Sequence, residues 1–359
     1  MNMKKVWMVS AVAVFGLLSA CGDNDVENEG AADNDMNNNM NNDMDNNMDD
    51  DNNTNDENDM NNNDANNNAN NNNGGADGDY TVALAMNTLD NPFFVDLSEG
   101  AEETAEEEGL DLIMTDSQGD AGQQASDVEN LLTQSPDLLI LNPVDSDAAE
   151  QIVLMANEQD VPVLTVDRQA SGGDVISHIG FDALRSGNIA GEFVSDTLEG
   201  EGNVVEIQGI LGTNVGRDRS EGFNEHIEEH DGIEIIASQS ANFDRGEALN
   251  VAEDILQAND DIDAIYAAND EMVMGALSAV EAAGREDDIV MIGTDAIDPA
   301  MEAIQEGRLD ATIAEPPFFL GRDAVHTAVD VLNGEDVDEM ITLENQLVTE
   351  ENVDEIETR

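Results

Sequence analysis

The sequence is short of several residue types, and each shortage excludes something. Of its 359 residues only Cys21 is a cysteine, so no disulfide can form within the chain. Its only lysines are Lys4 and Lys5, and from residue 80 onward nine arginines stand against 65 acidic side chains, a net charge of −56. A surface of that sign repels nucleic acid and anionic membrane surfaces, so we expect no nucleic-acid partner.

The scarcity of lysine, combined with this negative charge, favours a protein built for high external salt. At low salt the mutual repulsion of so many carboxylates opposes a compact fold. Molar salt shortens the Debye length to about 3 Å and relieves that repulsion. Ordinary acidic proteins normally keep some lysine, so the composition predicts a halophilic protein.

Long apolar runs are also lacking, and the run over residues 6–18 is too short to span a bilayer comfortably. It follows Lys4 and Lys5 and leads into LSAC, which ends at Cys21. This order is typical of a signal peptide, which we predict over residues 1–20. The small residues before Cys21 resemble the bacterial lipoprotein lipobox. That resemblance implies cleavage before Cys21, a lipid on its sulfur, and an extracytoplasmic protein anchored to the outer face of the cell membrane.

Residues 22–79 have no apolar periodicity and consist mainly of Asn, Asp and Met, as in NNNMNNDMDNNMDDDNN. Such a segment buries too little apolar surface to offset its ordering entropy. We therefore predict that residues 21–79 comprise the lipidated cysteine and a disordered tether. No stretch has the glycine and glutamate spacing of a calcium-binding loop, so a solvated spacer is favoured over a metal site.

From residue 80 onward, short apolar runs alternate with amphipathic helical stretches. The runs with the character of strands are 80–86, 111–115, 137–141, 161–166, 175–180, 203–208, 233–238, 262–267, 289–293 and 311–315. Helices are predicted between most of them, including 92–108, 120–134 and 145–158. This alternation predicts an α/β fold with parallel sheets covered by helices on both faces. The number of strands favours two lobes over one open sheet.

Ligands of such folds bind at the carboxyl ends of the strands. Eleven of the residues at or after the ends of the predicted strands are candidate ligand contacts: Asn91, Phe93, Phe94, Asn142, Asp167, Arg168, Arg219, Phe243, Asn269, Asp295 and Glu315. Each Asn or Asp alone is better explained as a turn or helix cap. Together they suit a ligand with many hydroxyl groups, because amide, carboxylate and guanidinium groups supply both donors and acceptors.

The stretch NTLDNPFF places Phe93 and Phe94 side by side in a chain with only 3% aromatic residues. Neighbouring side chains on a helix point about 100° apart, so one buried face does not easily take both. We predict that one or both rings turn into a cleft and pack against a sugar ring, with Phe243 on its other side.

The segments TLDNPFF, LNPVDSDA, VPVLTVDRQA, EIQGILGT, RDRSEGF, NFDR and NDEM occur in this order. They resemble the ribose-binding members of the periplasmic-binding-protein type I superfamily, from about residue 80 to the end. The resemblance implies two similar lobes, each a parallel sheet flanked by helices, joined by a three-crossing hinge. It divides the chain into an N-terminal lobe, 80–181 with 316–344, and a C-terminal lobe, 182–315 with 345–359.

The resemblance also implies that the eleven residues after the strands contact a sugar, with ribose favoured. It further implies a monomer without a cofactor that delivers the sugar to the permease of an ABC importer. Two positions depart from the family: Glu315 stands where the family has glutamine, and Asn87 where it has serine. These changes leave another pentose or hexose as an alternative ligand, and we predict that Glu315 accepts a sugar hydroxyl.

Other functions have weaker support. His226 and His230 are four apart in HIEEH, but Ile227 stands where a zinc protease has glutamate, and no third ligand is evident. The glycines of GILGTNVGR lack the ending of a phosphate-binding loop. Sugar-responsive repressors share this fold but need a basic DNA-reading headpiece, which is lacking here. A binding protein that serves a chemotaxis or sensor receptor stays an alternative to import.

Overall fold

A computed structural model describes residues 80–359; the predicted signal peptide, Cys21 and the predicted tether lie outside the described residues. The strands are β1 Thr81–Met86, β2 Asp111–Asp116, β3 Leu138–Leu141, β4 Val163–Val166, β5 Ser177–Phe181, β6 Glu201–Gln208, β7 Gly232–Ser240, β8 Ala264–Ala267, β9 Val290–Ile292, β10 Ala311–Ala314, β11 Met340–Leu343 and β12 Gln346–Thr349. The helices are α1 Pro92–Glu108, α2 Ala121–Leu132, α3 Ser146–Asn157, α4 Ala183–Thr197, α5 Asn214–Glu228, α6 Arg245–Ala258, α7 Asp270–Ala283, α8 Asp298–Gln305 and α9 Pro317–Leu332.

The strands form two six-stranded sheets, in the orders β2-β1-β3-β4-β5-β11 and β7-β6-β8-β9-β10-β12. Every pair in the first sheet is parallel, and in the second only β12 runs antiparallel, against β10. Central strands such as β3, with sequence LLIL, are buried throughout, as expected when helices cover both faces. The predicted fold class is confirmed: two similar parallel sheets flanked by helices.

The chain passes between the two sheets three times. It leaves the first sheet after β5 and enters α4, which packs in the core of the second lobe. It returns between β10 and α9, whose apolar face belongs to the core of the first lobe. The last passage is the two-residue link between β11 and β12.

Strands β11 and β12 are missing from the strands predicted from the sequence. Each has four residues, and their side chains are mostly exposed or half-buried, so neither shows the apolar run of a central strand. They pair at the edges of the two sheets beside β5 and β10. Sheet pairing, not side-chain burial, therefore fixes their conformation.

The two lobes contact each other directly beside the cleft between them. The Gln169 backbone N–H donates to the Asn214 side-chain oxygen at 2.9 Å, and the Asn214 N–H donates to the Ser146 hydroxyl at 3.1 Å. The Ser146 N–H donates to the Gly212 carbonyl at 3.2 Å. The structure therefore has the lobes in a closed arrangement. Across residues 80–359 there is no helix with the length and apolarity needed to cross a membrane.

Candidate functional site

The site lies where the carboxyl edges of the two sheets face each other. In both sheets the strand order reverses direction at the first strand of the lobe, β1 or β6, and ligands of open α/β sheets bind at that topological switch point. The segments after β1 and β4 bring residues from the first lobe to this point. The segments after β6, β7, β8 and β9 bring residues from the second.

Helix α1 presents the two neighbouring phenylalanines. Asn91 caps the helix, because its side chain accepts the Phe93 N–H at 2.9 Å, and Pro92 occupies the first helical position. The Phe93 and Phe94 rings lie edge to face, with centroids 5.2 Å apart, and both are buried. Both rings belong to the core of the first lobe and also line the cleft. A single buried face thus takes both rings because they pack against each other.

Asp167 and Arg168 follow β4 in a turn that starts in the left-handed region, with Asp167 at φ 62°. One terminal nitrogen of Arg168 donates to the carbonyls of Pro143 and Val144 at 3.1 and 3.2 Å. Asn142, after β3, is fully buried and donates to the Val166 carbonyl at 3.0 Å. Asn142 therefore supports the Asp167–Arg168 turn from behind, and it does not line the cleft.

The Arg168 guanidinium contacts an aromatic ring from each lobe. Its carbon lies 5.2 Å from the centre of the Phe94 ring and 5.7 Å from that of Phe243. Phe243 is held in a strained turn, with φ 53° at Asn242 and 60° at Phe243 itself. Its ring lies over Gly209, where a Cβ atom would overlap it. Aromatic faces and a cation are thus in place on both sides of the cleft.

Arg219 on α5 is the central charge of the second lobe. It is 2% exposed, and it donates to the Ala268 carbonyl at 2.7 Å, to the Asp295 carboxylate at 3.2 Å and to the Glu315 carboxylate. Asn269 caps α7 by accepting the Met272 N–H at 3.0 Å, and its side chain also faces the cleft. One guanidinium is thus shared between two buried carboxylates.

Asp295 lies in a loop with unusual backbone angles, φ 128° at Asp295 and 62° at Ala296. The fully buried carboxylate of Asp270 holds this loop, since it accepts the Ile297 N–H at 3.1 Å and the Thr312 hydroxyl at 2.7 Å. Asp270 directly follows Asn269 after the predicted strand over 262–267, but it is not among the eleven predicted ligand contacts. Its place at the start of α7 gives it the sequence signature of an ordinary helix N-terminus.

Burial governs the ionisation of the site. It raises the pKa of Asp167 against the opposing pull of Arg168 and Arg219, and it lowers the pKa of Arg168. Burial would also lower the pKa of Arg219, but the Glu315 and Asp295 carboxylates outweigh it, and that pKa is raised. Burial raises the pKa of Asp295 well above its ordinary value; Arg219 opposes this rise, and the nearby carboxylates of Asp270 and Glu315 add to it.

The two lobes enclose a cavity of about 290 Å³, counting its opening to solvent. Nine of the predicted residues line it: Asn91, Phe93, Phe94, Asp167, Arg168, Arg219, Phe243, Asn269 and Asp295. Asn142 and Glu315 lie behind the wall. Val215, in the first turn of α5, completes the lining, and an apolar helix residue gave no signal in the sequence. The roles of these side chains as sugar contacts stay predictions.

The cavity opens into an outer groove of about 680 Å³, which shares Asn91, Phe94, Arg168 and Phe243 with it. Asn87, the second position that departs from the family, lines this groove. Its side-chain oxygen accepts the Thr88 N–H at 2.5 Å.

The histidine pair of the HIEEH segment lies away from this cleft. His226 is near the end of α5, and the two rings are 5.3 Å apart. The Nε2 atom of His226 lies 3.1 Å from the Ser195 hydroxyl. In the part of the chain that the structure describes, no three or more His, Cys, Asp or Glu side chains are grouped to hold a metal ion.

Comparison with known proteins identifies this architecture. Residues 82–336 match the family model described as periplasmic binding protein domain. The chain is 40% identical over 271 residues to the ribose import binding protein RbsB of Escherichia coli K12, covering 76% of this chain and 91% of that protein. It is 38% identical to the Bacillus subtilis 168 protein of the same name, covering 77% and 90%.

Solved structures give the same result. An ABC transporter solute binding protein from Bacillus halodurans C-125 with bound myo-inositol is 36% identical, with a TM-score of 0.75, covering 77% of this chain and 97% of that chain. A periplasmic solute binding protein from Actinobacillus succinogenes 130z with bound D-allose is 30% identical, with a TM-score of 0.73, covering 77% and 100%.

Proposed function

Because the chain belongs to the periplasmic binding protein family, we propose that it captures a monosaccharide, with ribose favoured, and delivers it to an ABC importer. Relatives named as ribose import binding proteins, at 38–40% identity over most of their length, support this assignment. Neighbours with bound D-allose and myo-inositol support ligands with several hydroxyl groups as the class. The protein then binds without performing chemistry, and sugars incubated with it should be recovered unaltered.

The observation that carries the proposal is the pair of arginines in the cavity wall. Arg168 and Arg219 are 3% and 2% exposed, and each has an Nε–H without a hydrogen-bond partner. A buried donor that lacks an acceptor costs free energy. A hydroxyl oxygen supplies an acceptor, and its proton can go to Asp167 or Asp295. Within the protein, the Arg168 Nε lies 3.6 Å from the Asp167 carboxylate, which is too long for a hydrogen bond. A sugar hydroxyl that reaches these nitrogens would supply the missing acceptor.

The geometry supports direct sugar contact by the nine predicted residues that line the cavity. The rings of Phe94 and Phe243 both line the cavity, which supports the proposal that they pack on the two faces of a sugar ring. Contact by Asn142 and Glu315 stays a prediction, since both lie behind the wall. Sugar that touches both lobes stabilises the closed arrangement, which is the form that a permease would recognise.

Calorimetry over a panel of pentoses and hexoses tests the proposal. We expect ribose to bind most tightly, and the closely related hexose allose more weakly. Absence of heat with every monosaccharide would contradict the function. Tight binding of a different sugar would leave the function and overturn the ribose assignment. A permease and an ATPase gene beside this one favour import, and a lone receptor gene favours the alternative of sensing.

The division into lobes at residues 181/182, 315/316 and 344/345 is part of the proposal. Sheet membership supports it, because β5 and β11 belong to the first sheet and β10 and β12 to the second. The cleft residues come from both sides of these boundaries within one chain. A monomer therefore suffices to build the complete site.

Anchoring through a lipid on Cys21, after removal of residues 1–20, is also proposed. It rests on the basic, apolar and small-residue order at the N-terminus. Mass spectrometry of the protein from its native host should find a diacylglyceryl thioether on Cys21. A Cys21→Ser variant should appear in the medium, and retention of that variant at the membrane would contradict the anchor.

Adaptation to high salt completes the proposal. With a net charge of −56 over residues 80–359, molar salt should raise the midpoint of thermal unfolding and strengthen sugar binding. Thermal melts at about 0.1 M and 2 M salt test this expectation. A midpoint that does not move between them would contradict a halophilic protein.

A further inference from the structure

Residues 353–359, which follow β12, form a strap that leaves the second lobe and reaches the first. Val353 is buried in the core of the second lobe, and Ile356 packs against that core. The side chain of Gln305, the last residue of α8, donates to the Asp354 carboxylate at 2.9 Å. The strap is therefore fixed to the second lobe as far as residue 356.

Arg359, in this strap, contacts helix α1 of the first lobe. Its guanidinium donates to the Asp96 carboxylate and forms a second salt bridge with Glu99 at 3.0 Å. Helix α1 is part of the core of the first lobe through Leu97. Among the salt bridges of residues 80–359, only those of Arg359 join the two lobes.

The surfaces that Arg359 joins carry charges of the same sign. Asp298, the exposed first residue of α8, belongs to the second lobe, and Asp96 belongs to the first. Burial raises the pKa of Asp96, Arg359 opposes this rise, and the negative charges of Glu99 and Asp298 add to it. The pKa of Arg359 is raised by Asp96 first, and by Glu99 and Asp298 as well. Carboxylates of the two lobes therefore repel each other here, and Arg359 attracts both sides.

The contact between Arg359 and α1 lies away from the three passages. In the first sheet β3, β4 and β5 separate β1 from β11, so β1 is about 19 Å from the last passage at about 4.8 Å per strand. Helix α1 follows β1 and packs against β2, which lies one strand farther out. Opening rotates the lobes about the passages. A rotation of about 10° moves a point at that distance by about 3 Å, which is enough to break a salt bridge.

We propose that Arg359 is a latch between the lobes, which stabilises the closed arrangement and so strengthens sugar binding without touching the sugar. The inference rests on the proposed sugar-binding function. Arg359 lines neither the cavity nor the outer groove. A group that favours the closed arrangement raises the apparent affinity for any ligand that this arrangement holds. Substitution of Arg359 should therefore weaken the binding of every sugar by the same factor.

The test is calorimetry with ribose and allose on Arg359→Gln and Arg359→Glu in the full chain. Because an exposed salt bridge contributes modestly, Arg359→Gln should lower the affinity for both sugars by about two- to fivefold. Arg359→Glu should lower it further, because it adds a negative charge beside Asp96, Glu99 and Asp298. In an Asp96→Asn background, the effect of Arg359→Gln should be clearly smaller than in the wild type. Fully additive losses would overturn the inference.

The matched control is Arg308→Gln. The Arg308 side chain is 44% exposed, against 54% for Arg359, and it also pairs with two carboxylates, Glu281 at 2.8 Å and Glu306 at 3.3 Å. All three of these residues belong to the second lobe, so this variant removes the same charge and should keep wild-type affinity. Equal losses in Arg308→Gln and Arg359→Gln would overturn the inference. A changed ratio between ribose and allose in Arg359→Gln would also overturn it.

A second measurement separates the latch from the proposed function. Spin labels on Asn130→Cys in α2 and Glu253→Cys in α6, in a Cys21→Ser background, report the distance between the lobes. Both positions are exposed, and their helices pack against β2 and β7, the strands farthest from the passages. In the sugar-free protein, Arg359→Gln should shift the distance distribution to longer values, and Arg308→Gln should not. An unchanged distribution would overturn the latch, whereas a wild type that binds no monosaccharide would overturn the proposed function alone.

Discussion

The two lobes have the same order of strands in their sheets. In each lobe, the helix that directly follows a crossing between the lobes packs against a helix that carries site residues. In the first lobe α9 packs on α1, where a Cβ atom on Gly321 would overlap the Leu97 carbonyl. In the second, α4 packs on α5, and a Cβ atom on Gly187 would overlap the Arg219 carbonyl. Backbones this close transmit the rotation of one helix to the other.

Although the two lobes have similar folds, they contribute different kinds of side chain to the site. The first lobe offers two buried rings on a regular helix, together with the Asp167–Arg168 turn. The second offers a guanidinium shared between two carboxylates and one ring on a strained turn. Topology therefore determines where a site residue lies, and the lobe's own packing or charge determines how it is held. Substitutions of site residues in the two lobes should therefore differ in how much of their effect falls on the free energy of unfolding and how much on the affinity for sugar.

Replacing Arg219 by methionine should have the largest effect. It leaves Asp295 and Glu315 buried without their cation, so the free energy of unfolding should fall by about 3–5 kcal/mol. Sugar binding should become undetectable by calorimetry. Arg185→Met, on the exposed side of α4, removes the same charge and should change neither quantity. Retained sugar affinity in Arg219→Met would contradict the central place of this charge.

Substitutions of Phe94 and Phe243 should have similar effects on sugar affinity but different effects on the free energy of unfolding. Phe94 is 5% exposed and belongs to the core, so Phe94→Ala should lower the free energy of unfolding by about 3–5 kcal/mol. Phe243 is only half-buried, so Phe243→Ala should lower it clearly less. In each variant the affinity for sugar should fall by about tenfold or more. Equal losses of stability, measured by chemical denaturation, would mean that the two rings are held in the same way.

A buried titratable group in each lobe should make the lobes respond oppositely to pH. Burial lowers the pKa of His178 from 6.5 to about 4 and raises that of Asp270 from 3.8 to about 7. The stability that His178 contributes is present above pH 6.5 and is lost as the pH falls through about 4. The stability that Asp270 contributes is present below pH 3.8 and is lost as the pH rises through about 7.

Denaturation of the wild type, His178→Gln and Asp270→Asn between about pH 4 and 8 measures both effects. Differences from the wild type cancel the contribution of the many surface carboxylates. Each difference should change by on the order of 3 kcal/mol over its range, with opposite slopes. Parallel slopes for the two variants would show that these groups do not titrate as their burial implies.

The glycine contacts should have smaller and equal effects. Gly321→Ala and Gly187→Ala each force two helices apart, and each should lower the free energy of unfolding by about 1–3 kcal/mol. Gly246→Ala is the control, because the nearest atom to its new Cβ is the Asp244 carboxylate at 3.3 Å. It should be neutral or slightly stabilising through helix propensity. Tolerance of one glycine variant and not the other would break the equivalence of the two helix pairs.

Much of this arrangement follows from local sequence. The predicted helix over 92–108 coincides with α1, because Asn91 and Pro92 mark its start and Gly109 its end. Buried strands such as β3 can be recognised in the sequence as apolar runs. Strands β11 and β12 cannot, because they are stabilised by pairing with β5 and β10, and this long-range pairing does not require an apolar pattern in their four residues.

The sequence predicts which residues lie near the ends of strands, but it does not predict which of their side chains face the cavity. Of the eleven residues chosen by their position near strand ends, nine line the cavity, and the side chains of Asn142 and Glu315 lie behind its wall. Side-chain direction depends on the packing of loops from several strands, which the local sequence does not encode. The meeting of the Ser186, Glu315 and Asn345 side chains joins residues far apart in the chain and has no local signal.

The link between β11 and β12 has a consequence for the nascent protein. Each sheet receives one of its edge strands from residues 340–349, so neither sheet is finished until this segment has been translated. Until then, β5 and β10 present open edges with unpaired backbone groups, the kind of surface through which chains aggregate. Both edges stay open until residues 340–349 pair with them, and because only two residues separate β11 from β12, the two sheets are completed at nearly the same moment.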